Sequence, residues 1–295
     1  MDTQPVSVAP EEVSIERPAL YVVATPIGNL ADLSPRAAAV LAGVDRILCE
    51  DTRHSRRLLE HCAIATPLEP LHEHNERRRA GELVARMVAQ GAAFALVSDA
   101  GTPLISDPGY VLVASAHEAG IPVRVVPGPC ALVAALSISG LPTDRFVFEG
   151  FLPSAAGARD ARLGALAVET RTLVFYEAPH RLRATLQALL AVFGEARPAA
   201  VARELTKRYE TLYRGTLGEL AGQLDEDAWA TRGEMVVMVA GAPAQAARAD
   251  GELDRVLRVL LAETDRRTAV RLATALTGGR RNAIYKRALE LGDAD

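Results

Sequence analysis

From Leu20 onward, short runs of apolar and β-branched residues alternate with stretches whose apolar positions recur at helical spacing. Leu20-Tyr-Val-Val-Ala-Thr25 predicts a strand, and Ser34-Pro-Arg-Ala after it offers serine and proline for the N-cap and first position of a helix. The cycle repeats with Arg46-Ile-Leu-Cys49 before a helix over 52–61, and with Phe94-Ala-Leu-Val97 before one over 109–119. Val123-Arg-Val-Val126 then precedes a small-residue helix over 130–138. Such alternation implies an α/β fold with a mostly parallel sheet covered by helices. Turn residues at Gly140-Leu-Pro-Thr-Asp144 interrupt it.

Beyond that point strands are predicted at Phe146-Val-Phe148, Thr172-Leu-Val-Phe-Tyr176, Ala199-Ala-Val-Ala202, Thr211-Leu-Tyr213 and Met235-Val-Val-Met-Val239. With helices near 161–167, 181–193 and 217–223, this reads as a second α/β domain richer in strand. Residues 241–251 have linker composition, with no large apolar residue to anchor them. Two short amphipathic helices follow, Arg267 to Leu276 and Arg281 to Leu289, joined by Thr277-Gly278-Gly279 in the outline of a helix-turn-helix. The expected units are therefore 19–140, 141–243 and a helical module over 252–295.

A chain of 295 residues with 49% apolar and 24% charged residues has room for two compact domains and an appendix. No basic leader precedes an apolar stretch near the start, and no run reaches the roughly 20 apolar residues of a membrane span, so a cytoplasmic protein without a membrane partner is expected. Cys49, Cys62 and Cys130 are odd in number and far apart, which fits neither a disulfide framework nor a metal motif. The net charge of −4 argues against a whole-molecule attraction to nucleic acid. The segment from Asp254 to Glu290 changes that picture, because nine basic residues there face only Asp254, Glu263, Asp265 and Glu290. Within it Arg280, Arg281, Lys286 and Arg287 are the expected RNA contacts.

Three loops carry the candidate chemistry. Thr25-Pro-Ile-Gly-Asn-Leu-Ala-Asp32, Ser98-Asp-Ala-Gly-Thr-Pro103 with Ile105-Ser-Asp-Pro-Gly109, and Val126-Pro-Gly-Pro-Cys-Ala131 each leave the C-terminal end of a predicted strand, the edge where open α/β sheets bind ligands. Glycines allow close backbone approach, Asp99 offers a carboxylate to an amino or hydroxyl group, and the prolines make the exits rigid. Each loop alone could be a bare turn or a helix cap. Three together predict one pocket, and the lack of GxGxxG argues against an ordinary dinucleotide site.

Thr25-Pro-Ile-Gly-Asn-Leu, Cys49-Glu-Asp-Thr-Arg-His, Ser98-Asp-Ala-Gly-Thr-Pro, Val126-Pro-Gly-Pro and Phe175-Tyr-Glu-Ala-Pro-His-Arg, in that order over residues 19–243, resemble the tetrapyrrole-methylase superfamily. They are most similar to its branch that 2′-O-methylates a cytidine of 16S ribosomal RNA. The resemblance implies a two-domain tetrapyrrole-methylase-like fold with a helix-turn-helix-like C-terminal module, a homodimer, and S-adenosyl-L-methionine held in a cleft between domains. The substrate would be 16S ribosomal RNA or the small ribosomal subunit. By motif, the cofactor shell would comprise Pro26, Gly28, Asp99, Ala100, Gly101, Thr102, Gly128, Cys130, Ala131, Tyr176, Ala178 and the stretch Ala240, Gly241, Ala242. Thr102 stands where small-molecule methylases of the superfamily carry an acid, and Cys130 where a small hydroxyl residue is expected.

A ribose hydroxyl is a poor acid, so its methylation is helped by a base or by a cation that stabilises developing alkoxide. Three sets mix carboxylates with cations: Glu50-Asp-Thr-Arg-His54, Glu177 with His180, and Arg203-Glu-Leu-Thr-Lys207. Glu204, Lys207, Arg53 and His54 are the catalytic candidates, although surface ion pairs share this composition. His72 and His74 would share one face of a strand, yet they lack a third ligand and no metal is expected. Arg77-Arg78-Arg79 reads as a solvated helix face. The rival functions are a methylase of a tetrapyrrole-like small molecule and a catalytically inert RNA-binding assembly factor. The intact cofactor loops oppose the second rival, and the Ala-Gly-Thr loop with the basic tail opposes the first.

Overall fold

A computed structural model describes residues 13–227, 232–279 and 281–292. The first half contains β1 (Ala19–Val23), α1 (Pro35–Gly43), β2 (Arg46–Cys49), α2 (Thr52–His61), β3 (Leu68–Pro70), α3 (Glu73–Gln90), β4 (Ala93–Leu96), α4 (Tyr110–Glu118), β5 (Val123–Val126) and α5 (Ala131–Ser139). Its five strands lie in the order β3-β2-β4-β1-β5, all parallel. Strand periodicity sends Tyr21, Ile47 and Ala95 to one face, against Val40 and Leu41 of α1 and Leu59 of α2. Leu20, Leu48, Phe94 and Leu96 go to the other, against Leu83 and Met87 of α3 and Leu112 of α4. Both faces are thus dry, and each fully buried large aliphatic contributes about 1.5–3 kcal/mol. Ser34 caps α1 through the Ala37 amide, with Pro35 at the first position as the sequence predicts.

The second half contains β6 (Phe146–Phe151), α6 (Ala156–Ala165), β7 (Thr172–Glu177), α7 (Leu182–Phe193), β8 (Pro198–Arg203), β9 (Thr211–Thr216), α8 (Leu217–Glu226) and β10 (Met235–Val239). The strand order is β6-β7-β10-β8-β9, with only β6 and β7 parallel. Leu163, Leu186, Leu189 and Leu220 from α6, α7 and α8 seal one face. The opposite face is covered from the first half: Leu132, Ala135 and Leu136 of α5, with Ile27, pack on Val174, Ala200, Ala202, Val236 and Met238. That helix, which follows β5 of the first half, is packed on the second sheet.

Three expectations need correction. His72 and His74 do not sit on a strand: His72 is the N-cap of α3 and His74 lies in its first turn, because Asn75 completes a capping box with His72. Residues 241–251 are not a linker throughout, since α9 (Ala244–Glu263) begins inside them and alanine's helix propensity outweighs the missing apolar anchors. In the arginine run Arg77 and Arg78 are exposed, but Arg79 is tied to Glu69 and to the Pro70 carbonyl.

Helices α9, α10 (Arg266–Thr277) and α11 (Arg281–Gly292) close on Leu257, Val270, Ala273, Ile284 and Ala288, with Gly278 in the left-handed conformation ending α10.

Candidate functional site

The three loops are stitched together by backbone. Thr25 and Gly101 exchange both amide hydrogen bonds, at 2.8 and 3.1 Å, and the Thr102 hydroxyl donates to the Pro129 carbonyl at 2.9 Å. From the second half, the Tyr176 hydroxyl accepts from the Leu132 amide at 3.2 Å, in the first turn of α5. Its ring packs edge-on against Phe148 and Phe151. Burial pushes the Tyr176 hydroxyl above its ordinary range, so it stays neutral.

Between these parts lies a cleft of about 400 Å³. Asp99, Ala100, Gly101, Thr102, Cys130, Ala131, Tyr176 and Ala178, eight of the residues assigned by motif, line it together. Ile27, Phe151, Leu205, Met235 and Val236 supply apolar walls, and Asp107, Glu177 and Glu234 supply further carboxylates. No arginine, lysine or histidine is among the lining residues.

Other assigned residues sit elsewhere. Pro26 is buried and faces a second small cavity behind the loops, shared with Thr25, His54, Ser98 and Asp99. Gly28 packs on Lys207, where a Cβ would come within 2.4 Å of Lys207 Cγ, and Gly128 packs on Ala24. Ala240, Gly241 and Ala242 lie at the end of β10 away from the cleft: the Ala240 amide bonds to Pro198, the Ala242 amide to Glu169, and Gly241 abuts Thr170. Because β10 runs antiparallel to β7, pairing Met235 with Glu177 and Val239 with Leu173, the cleft meets β10 at Glu234, Met235 and Val236 instead. Asp107 and Glu234 carried no assignment; the turn cluster around Ser106 signalled the first, whereas Glu234 becomes visible only once strand direction is known.

The catalytic candidates separate into two places. Arg53 and His54 are exposed in the first turn of α2, with the Arg53 side chain 91% accessible, and neither lines the cleft. Glu204 and Lys207 stand at its margin in a tight loop after β8, in which Glu204 and Thr206 take positive φ values of 51° and 65°. Two such non-glycine residues store strain that the surroundings must fix. Glu204 accepts from Lys207 Nζ and from the Glu234 amide, both at 2.9 Å, and Lys207 also meets Glu234 at 3.1 Å. Burial alone would raise Glu204, but the Lys207 ammonium and the Glu234 amide hold it below its ordinary range. Burial likewise opposes the charge on Lys207, and the two carboxylates override it and push its pKa up. Lys207 is a fixed cation rather than a base. Lys207→Met should lower the melting temperature by about 2–6 °C, the equivalent of roughly 1–2 kcal/mol, by leaving two carboxylates face to face. An unchanged melting curve would show that this ion pair does not hold the loop.

Glu177 is fully engaged: Arg181 lies at 3.3 Å, the Thr185 hydroxyl donates to it, and its own carboxylate caps the Ala178 amide. Exposed His180 lies beside it. Among the described residues no group of three or more histidine, cysteine or acidic side chains is arranged to hold a metal.

In the C-terminal module Arg281 and Lys286 are exposed. Arg280 lies outside the described residues. Arg287 needs correction as a free RNA contact, because it grips Asp254 of α9 through two bonds of 2.7 and 2.6 Å and Glu290 at 2.8 Å. These hydrogen bonds raise its pKa, and the residue clasps α11 to α9.

Comparison with known proteins places this architecture. Residues 19–221 match the family of Tetrapyrrole (Corrin/Porphyrin) Methylases, and residues 247–292 match the RsmI C-terminal HTH domain. A relative named Ribosomal RNA small subunit methyltransferase I from Pseudomonas aeruginosa is 53% identical over 273 residues, covering 92% of this chain and 96% of the relative. One of the same name from Escherichia coli O157:H7 is 49% identical, covering 92% and 94%. Among solved structures, uroporphyrin-III C-methyl transferase from Thermus thermophilus, complexed with S-adenyl homocysteine, superposes with a TM-score of 0.51 at 21% identity, covering 75% of this chain and 96% of that one. Two five-stranded sheets with α5 of the first half packed on the second, three stitched loops around an acidic cleft and sequence identity of about half along nearly the whole chain agree, and the chain belongs to the tetrapyrrole methylase family, in the group of the ribosomal RNA small subunit methyltransferase I proteins.

Proposed function

We propose that this protein transfers a methyl group from S-adenosyl-L-methionine to the ribose 2′-hydroxyl of a cytidine in 16S ribosomal RNA. The observation that carries the reading is the cleft itself, apolar in its walls and acidic in its polar groups, with no basic residue in its lining. Phosphate-bearing cofactors need cations or a glycine-rich amide nest. A sulfonium with an ammonium group is positively charged at those points and fits the Asp99 carboxylate, which one backbone amide leaves able to accept further, while its adenine fits beside Ile27, Tyr176 and Val236. The cofactor supplies an electrophilic methyl group. The protein binds it between the two halves and holds the α9–α11 module as a separate basic surface for RNA. The substrate named for the relatives supports RNA.

The protein is further proposed to act as a homodimer in the cytoplasm, where ribosomal subunits are found. The edge strand β5 leaves Val125 63% exposed and α5 leaves Val133 57% exposed, apolar surface suited to a second copy. Among the described residues no helix is long and apolar enough to cross a membrane. Saturating S-adenosylmethionine should raise the melting temperature, since a ligand of the native state alone shifts unfolding. Mass mapping of 2′-O-methyl groups in small-subunit RNA, from cells with and without the protein, should show one cytidine losing its mark. An unchanged map would refute the RNA reading.

A further inference from the structure

The carboxylates of the cleft differ in what they are free to do. Glu177 is consumed by Arg181, Thr185 and its neighbouring amide, Glu234 pairs with Lys207, and Asp99 accepts from the Asp51 amide at 3.2 Å. Asp107 is different. It lines the cleft on the loop between β4 and α4, and among the described residues no cation pairs with it. The loop that carries it is strained and wedged. Leu104 and Ser106 both take positive φ, 72° and 69°, and Gly109 follows at 133°. A Cβ at Gly109 would lie 2.6 Å from Leu96 and 3.2 Å from Leu104, and one at Gly150 of β6 would lie 3.2 Å from Ser106 Oγ. Packing from both halves therefore over-determines the position of Asp107, the condition under which strain persists at a functional site.

We propose that Asp107 is the catalytic base of the methyl transfer, an assignment that rests on the RNA-methylation reading above. As the ribose 2′-oxygen forms its bond to the methyl carbon, the O–H proton passes to an Asp107 carboxylate oxygen, and the electron pair of the breaking C–S bond stays on sulfur. The proton is later lost to solvent. The groups facing Asp107 are suited to this. Glu50 after β2 and Asp99 after β4 add negative charge, Tyr176 from β7 stays neutral, and the Ser98 hydroxyl is the one neighbour favouring its charged form. Burial first, then Glu50 and Asp99, push the carboxyl up to about 6. Such a group is ionised at neutral pH yet more basic than an ordinary carboxylate, which favours general-base catalysis.

Its sign in folding is also fixed. A carboxyl whose folded pKa is raised binds its proton more tightly in the native state, so stability is greatest below the unfolded value and falls as pH rises to about 6. Asp107→Asn removes that loss while keeping the shape.

The test combines three measurements on full-length protein. With wild type, tritiated S-adenosylmethionine and small ribosomal subunits lacking the modification, single-turnover rates should fall below about pH 6. Asp107→Asn should turn over at least 100-fold more slowly with no such pH limb, bind S-adenosylhomocysteine within about twofold of wild type by calorimetry, and melt a few degrees higher at pH 7.5. Wild-type rates in the variant would overturn the assignment. So would a large loss of S-adenosylhomocysteine affinity, which would make Asp107 an anchor for the ligand. A wild-type protein that leaves every ribose of the subunit unmethylated would sink the proposed function, and this assignment with it.

Discussion

Gly101→Val should abolish measurable binding of S-adenosylhomocysteine, a loss of more than 100-fold, while the protein remains folded. Gly101 sits at φ 82°, a conformation that a β-branched residue resists at a cost of about 1–3 kcal/mol. Its Cβ would lie 3.2 Å from Ile27 Cγ2 and 3.6 Å from the Pro129 carbonyl, so the extra methyls have no room to retreat between the loops and project into the cleft that Gly101 lines. The two bonds to Thr25 use backbone only and resist a compensating shift. Gly101→Ala carries the same φ penalty with little volume, and should cost about tenfold in affinity. Calorimetry alongside melting curves separates strain from occupancy. If the valine variant binds as wild type does, the cleft is not the cofactor site.

How much of this site was legible before the structure depended on what local chemistry can encode. Arg46–Cys49, Val123–Val126 and Met235–Val239 are apolar or β-branched runs bounded by turn residues, and the strands occupy those residues. The three loops follow such strands and carry their own glycines and prolines, so their convergence was also readable. β3 was not: three residues at a sheet edge, none of them fully buried, leave no periodic signal. Ala240, Gly241 and Ala242 stand away from the cleft for a topological reason. A strand's sequence does not say which of its ends points at the site, and β10 is antiparallel to the strand that carries Tyr176. Arg287 looked like its basic neighbours because an ion pair with Asp254, 33 residues earlier, has no local signature.

That distinction among the basic residues yields the second large effect. Charge reversal at the exposed pair, Arg281→Glu with Lys286→Glu, should weaken binding of small-subunit RNA by about 100-fold near 0.1 M salt, because two attractions become repulsions. The dependence of log affinity on log salt should become shallower by about 2, since at least two fewer counterions are released. S-adenosylhomocysteine affinity and melting temperature should stay close to wild type, because neither residue belongs to the cleft or to the core of the module. Turnover should fall most at low RNA concentration and recover toward saturation, as expected when only uniform binding is lost. Arg287→Ala is the counterpart: it unclasps α11 from Asp254 and should lower the melting temperature of the module, with any loss of RNA affinity following from that. If charge reversal at Arg281 and Lys286 leaves RNA affinity unchanged in a folded protein, this face does not dock RNA. If it lowers cofactor affinity and stability together, the module serves to support the second domain rather than to hold the substrate.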